Sequence, residues 1–194
     1  GVDASKVTNR KIITTEELGS AGIYLGNSDV TNEANGIITV KNETSAGIYG
    51  VFDVGNHNIV NNGTIKLDNI NSKTKSAGIY GNLPNTGTLT ITNNKVIEAD
   101  MKESAGIYAV NSLSVDALKV INNDTITLNN EKTAGIFANK STVSNNKSII
   151  LNAAAKSSTG IFGQNNSNVT NEANGIISVT GTAGVPGLSS GIYI

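Results

Sequence analysis

The chain has no cysteine and no tryptophan, one histidine, two prolines, a single arginine (Arg10), and an aromatic content of only 4% over 194 residues. Without cysteine, disulfides and thiolate metal sites are both excluded, which suits a chain exported unfolded and suits many cytosolic proteins as well. With so few large aromatics, small and β-branched residues must fill the interior. Fourteen basic residues against fifteen acidic ones give a net charge of −1. No basic stripe exists to track phosphates, so nucleic acid is not an expected partner. Nor is there an apolar run of about eighteen residues that would cross a membrane as a helix. What the chain has in excess is asparagine, 29 residues, with 21 glycines. Both types accept backbone conformations that β-branched residues resist, so many turns are expected.

The most repeated string is Ser-Ala-Gly-Ile-Tyr. Its glycine recurs at Gly22, Gly47, Gly78, Gly106, Gly135, Gly160 and Gly191, each followed by Ile and then by Tyr or Phe. The spacings of 25 to 31 residues are too uneven for a coiled coil and mark one unit written seven times. A second column lies between these strings: Val7-Thr8-Asn9, Val30-Thr31-Asn32, Ile59-Val60-Asn61, Ile91-Thr92-Asn93, Val120-Ile121-Asn122, Val143-Ser144-Asn145 and Val169-Thr170-Asn171. A third follows within a few residues, at Ile13, Ile38, Ile65, Ile97, Ile126, Ile149 and Ile177, with a mostly apolar residue two positions on, such as Val40, Leu67 or Leu128. Apolar residues at i and i+2 are the period of a half-buried strand. The links between the second and third columns, Asn62-Gly63 being the shortest, predict tight turns through positive φ.

Three short strands per unit and no helical period predict an all-β fold, a right-handed parallel β-helix of about seven rungs forming one segment over residues 1–194. At ~4.8 Å per rung the rod would be roughly 34 Å long. A β-propeller needs longer, four-stranded blades, and helical solenoids fail on the abundance of Thr, Val, Ile, Gly and Asn. Length variation after the aromatic residue, as in residues 51–58 and 109–119, predicts loops outside the stacked core. The segment Ser28–Val40 returns almost unchanged as Ser167–Val179, which points to duplication within a longer array.

Strict alternation predicts that Ala and Ile of the repeated string face inward, with Ser, Gly and the aromatic residue on the opposite face. Tyr24, Tyr49, Tyr80, Tyr108, Phe137, Phe162 and Tyr193 would then form an outward column, one ring per rung. That column is the candidate contact surface: aromatic residues flanked by Ser and Gly could stack on sugar rings or receive a partner's apolar side chains. The competing reading is that the rings stack on one another and stiffen the rod. In the second column, alternation sends asparagine inward, predicting a ladder of amides that satisfy one another from rung to rung.

Catalytic constellations are weak. A polysaccharide lyase or hydrolase on this scaffold needs carboxylates gathered on neighbouring rungs. Glu98 instead aligns with Lys66, predicting a cross-rung ion pair. His57, with Asp53 four residues earlier, reads as solvated loop surface. No metal-ligand spacing occurs and no cofactor is expected.

Serial Ser-Ala-Gly-Ile-Tyr strands alternating with Val-Thr-Asn-Asn-Gly-x-Ile-like strands resemble the passenger regions of large fusobacterial type V autotransporter adhesins. The resemblance extends along essentially the whole chain. It implies a right-handed parallel β-helix displayed at the bacterial surface, or extracellular, with membrane attachment only through a C-terminal barrel outside this segment. It also implies a non-enzymatic role in attachment to a protein or glycan of host cells or other bacteria. The alternative is a carbohydrate-active β-helix enzyme or a tailspike-like domain. Open strand edges at the first and last rungs would in addition let isolated segments associate end to end.

Overall fold

The computed structural model describes residues 5–68, 75–152, 156–180 and 189–194. Each turn of the chain contributes one strand to each of three parallel sheets, and every sheet has seven strands. The first rung consists of Lys6–Asn9 in sheet A, Ile12–Thr15 in sheet B and Ala21–Gly26 in sheet C; the last consists of Asn168–Asn171, Ile176–Val179 and Ser190–Tyr193. Strands pair only with the equivalent strand one turn earlier or later, so the molecule is a parallel β-solenoid. Among the described residues the one helical element is a short 3-10 turn, Val115–Ala117.

Register follows the columns read from the sequence. Val30 lies between Val7 and Ile59, Ile97 between Ile65 and Ile126, and Ile107 between Ile79 and Ile136. A one-residue slip would turn each of these inward residues to solvent, so burial itself holds the register. The inward residues Ile38, Ile59, Ile65, Ile79, Ile91, Ile97, Ile107, Ile126 and Ile136 are fully buried and form one continuous core.

Three expectations are corrected. The stretches after the aromatic column are not wholly outside the core. Strands extend into them through Leu83 and Asn111, and Phe52, Leu83, Leu89 and Leu118 are fully buried, so the longer rungs widen the core sideways. His57 is likewise not solvated loop surface. It occupies the column of Leu89 and Leu118, is 6% exposed, and packs against Phe52 with ring centroids 5.2 Å apart. Its Nε2 lies 2.8 Å from the Val54 carbonyl, which can only accept, so Nε2 carries the proton; Nδ1, 3.7 Å from Asp29 Oδ1, has no hydrogen-bond partner.

Turn chemistry is the third. Gly36, Gly63 and Gly175 in the A-to-B turns do not take positive φ. Gly63 is needed for closeness: a Cβ there would lie 2.1 Å from the Gly36 carbonyl oxygen and 2.6 Å from Asn32 Nδ2. Left-handed residues sit instead at the B-to-C corner, one before each of the first six sheet C strands: Gly19, Thr44, Lys75, Glu103, Lys132 and Ser157, with φ between 52° and 69°. A side chain in that region costs on the order of 1 kcal/mol. The corner is nevertheless adopted by five residues that are not glycine, because the stacked rungs on either side impose it.

Candidate functional site

The aromatic column is built as a continuous stack. From Tyr24 through Tyr49, Tyr80, Tyr108, Phe137 and Phe162 to Tyr193, successive ring centroids are 5.3, 4.5, 5.5, 4.3, 5.4 and 5.2 Å apart and successive planes differ by 4° to 11°. In-register parallel pairing delivers this directly, because Tyr49 is partnered with Tyr24 and Tyr80, and Tyr108 with Tyr80 and Phe137. The five inner rings are half-buried, while Tyr24 and Tyr193 at the ends are 72% and 58% exposed. All seven candidate contact residues are thus brought onto one line. Their ring faces, however, are covered by one another; only Tyr24 and Tyr193 keep a free face. The inner rings offer edges, so face-on stacking of a sugar ring is closed to them.

Beside the rings runs an open groove of about 800 Å³, lined on one side by Tyr49, Tyr80, Tyr108, Phe137 and Phe162. Ala46, Ala77, Ala105 and Ala134 line it too, and Lys75, Glu103 and Lys132 stand at its B-to-C corner. Here strict alternation fails. The alanines of the repeated string are buried as expected at Ala46, Ala77 and Ala105, but beneath this groove and outside the core cluster, and the glycine beside them turns toward the core. Backbone pairing explains it. Ala46 pairs with Ala77 and Ile48 with Ile79, but the glycine between them is skipped on every rung, as in a bulge. Gly and Ile therefore both point inward. A Cβ on Gly106 would stand 2.7 Å from the Gly135 carbonyl oxygen and 2.7 Å from Ile126 Cγ2, so the missing side chain is what lets sheets B and C close.

The residue before each alanine, or before Thr159 in the sixth rung, belongs to a further ladder that alternation did not reveal. Ser45, Ser76, Ser104, Thr133 and Ser158 are buried. The amides of Ser20, Ser45, Ser76 and Thr133 donate to the hydroxyl oxygens of Ser45, Ser76, Ser104 and Ser158 at 3.1, 3.3, 3.1 and 2.9 Å. In turn the hydroxyls of Ser45 and Ser76 donate to the Glu17 and Asn42 carbonyls in the corner one rung before, at 3.3 and 3.0 Å. The recurrence of Ser or Thr at one column was the available signal; its inward direction needed the bulge to be known.

The asparagine ladder forms as expected and runs the whole rod. Asn9, Asn32, Asn61, Asn93, Asn122 and Asn145 each donate from Nδ2 to Oδ1 of the next asparagine, ending at Asn171, at 2.8 to 2.9 Å. An outer ladder accompanies it, in which Asn94, Asn123 and Asn146 donate to Asn62, Asn94 and Asn123 at 2.9, 2.8 and 2.7 Å.

Charged residues pair along the axis. Lys66 meets Glu98 at 3.0 Å as expected, Lys41 meets Glu16 at 2.9 Å, Lys102 meets Glu131 at 2.8 Å and Lys132 meets Glu103 at 3.7 Å. The hydrogen bond and charge of Lys41 lower the Glu16 pKa, and those of Lys102 lower that of Glu131. Burial, reinforced by the phenols of Tyr49 and Tyr108, raises the Tyr80 pKa and keeps that hydroxyl protonated. Among the described residues no group of three or more His, Asp or Glu side chains is gathered as a metal site would require.

The fold and its surface define a parallel β-solenoid with an axial aromatic ladder and a groove beside it. No protein-family model matches the chain, no curated protein matches it, and no solved structure matches it.

Proposed function

We propose that this chain is a structural and adhesive segment of a bacterial cell-surface autotransporter adhesin, a rigid rod that presents its loops and axial groove to proteins or glycans of host cells or other bacteria. The observation that carries the reading is what the repeated side chains do. Asn, Ser, Tyr and the Lys–Glu pairs all close on the residue one rung away, so the repeat is spent on making the rod. What stays open is the groove and the corners, which suits display. Attachment then uses ring edges and the ammonium groups of Lys75 and of Lys132, which stays largely exposed beside its Glu103 partner, with the free faces of Tyr24 and Tyr193 as extra contacts.

A glycan array and a cell-binding assay on the isolated chain test this, with denatured chain as control. Saturable binding that is weakened by Lys75→Glu with Lys132→Glu is the expected result. Folded chain that binds no surface would reduce it to a stalk. Release of new reducing ends or unsaturated sugars from a polysaccharide panel would replace it by the carbohydrate-active enzyme reading.

A further inference from the structure

Four tyrosines on consecutive rungs, Tyr24, Tyr49, Tyr80 and Tyr108, form an unbroken phenol stack with centroids 5.3, 4.5 and 5.5 Å apart, whereas Tyr193 has only Phe162 beside it. We propose that this stack is a site of oxidative cross-linking, at which a one-electron oxidant of the peroxidase–hydrogen peroxide class joins phenols on adjacent rungs into dityrosine and staples the rod along its axis.

The chemistry balances. Each of two phenols loses one electron and one proton to give a phenoxyl radical whose spin is shared with the ring carbons ortho to oxygen. Pairing of two such radicals forms one C–C bond between Cε atoms. The hydrogen on each joined carbon then moves as a proton to its own oxygen, restoring both phenols. Two electrons and two protons leave in all, and one hydrogen peroxide takes them up to become two waters.

Geometry favours neighbours on the same chain. Radical coupling normally waits for an encounter between molecules, but here the partner ring is held in place, nearly parallel, at the spacing of the strands. The terminal torsion of tyrosine is broad, so neighbouring rings can rotate to bring their Cε edges toward one another. Ring edges line the open groove, which gives an oxidant access to the three rings flanking the closest contacts, and Tyr24 is exposed outright. The closest pair, Tyr49 and Tyr80, is expected to couple most.

The test uses dilute intact chain treated with horseradish peroxidase and limiting hydrogen peroxide, followed by dityrosine fluorescence on the monomer fraction and mass spectrometry of its cross-linked peptides. Tyr49–Tyr80 peptides should dominate, with Tyr24–Tyr49 and Tyr80–Tyr108 beside them and Tyr193 absent from intrachain products. Tyr49→Phe keeps a ring in the stack, and should abolish both products that involve residue 49 while retaining Tyr80–Tyr108. Unfolding the chain in urea before oxidation should lose this selectivity. A monomer fraction without dityrosine would overturn the proposal, as would cross-links confined to dimers through Tyr24 and Tyr193, or the same product pattern in native and unfolded chain.

Discussion

Replacing Asn93 by alanine tests whether the asparagine ladder holds the rod together or merely accompanies it. Asn93 is fully buried; its Oδ1 accepts from Asn61 Nδ2 at 2.8 Å and its Nδ2 donates to Asn122 Oδ1 at 2.9 Å. Truncation leaves a donor on Asn61 and an acceptor on Asn122, both in buried residues. Each such orphan costs about 1–3 kcal/mol, so Asn93→Ala is expected to destabilise by about 3–5 kcal/mol. Asn171→Ala is the control. That amide closes the ladder at an exposed residue, where water can replace it, and a loss of about 1 kcal/mol is expected. Because rungs touch only their neighbours, the effect should be local. Native-state hydrogen exchange reads it at the amides of Asn94 and Asn123, which donate to the carbonyls of Asn61 and Asn93. Asn93→Asp sharpens the test. An ionised aspartate there can accept but cannot donate to Asn122, and burial would push its pKa up. Its folded pKa would lie above the unfolded value near 3.9, so the variant should be closest to wild type in acid and lose stability as pH rises through the folded pKa. Equal exchange rates in Asn93→Ala and Asn171→Ala would refute the argument that the ladder carries stability.

Tyr80→Ala with Tyr108→Ala removes three ring contacts and should lower stability by about 2–4 kcal/mol, read by thermal melting, while cell binding persists; lost binding at unchanged melting would assign the column to recognition. Gly106→Ala drives a Cβ against the Gly135 carbonyl and Ile126 and should cost at least ~2 kcal/mol in urea titration, whereas Gly191→Ala, whose nearest neighbour would be Ile177 Cγ2 at 3.5 Å, should be tolerated. Acid weakens the corner pairs: Glu16 and Glu131 have lowered pKa values, so their contribution is present above the ordinary glutamate pKa near 4.3 and fades as pH falls through the folded values. Melting curves in high and low salt between pH 3 and 6 check this; being exposed pairs, they should also weaken in salt. Isolated chain should self-associate through its end rungs, where Ile12, Leu18, Ile176, Ile192 and Ile194 are exposed, and sedimentation that stays monomeric as concentration rises would count against that.

The periodic features were legible because stacking copies each residue onto its own kind. Any residue type repeated at one column must satisfy itself, which is why the asparagine and aromatic columns and the Lys66–Glu98 pair are legible in the sequence alone. The misreadings arose where a rule of regular strands was carried across a backbone irregularity. One skipped glycine per rung reverses the facing of everything before it: Ala leaves the core cluster for a buried place beneath the groove and Ser turns inward, where its hydroxyl takes the amide of the rung before. His57 and Phe52 were misjudged for the opposite reason. Phe52 occurs in a single rung, and His57 shares its column with Leu89 and Leu118, a change of residue type that no repeated string announced.

The same bulge decides what the exterior can do. With regular alternation the alanines would join the core cluster and the aromatic rings would stand on a flat sheet; instead Ala46, Ala77 and Ala105 are buried beneath the groove, outside that cluster. With the bulge, the alanine column becomes a recessed floor and the rings become the wall of a groove running along the axis. Glycine earns its place at Gly22, Gly47, Gly78, Gly106, Gly135 and Gly160 by permitting that reversal, since each lies where a Cβ would strike the next rung's glycine carbonyl at 2.5–2.7 Å. A residue that looks like a passive spacer in the repeated string therefore produces both the tight core and the groove along the rod's aromatic face. Any variant that forces a side chain into that position should damage the groove and the core together, while changes at the groove's lysines should leave the core intact.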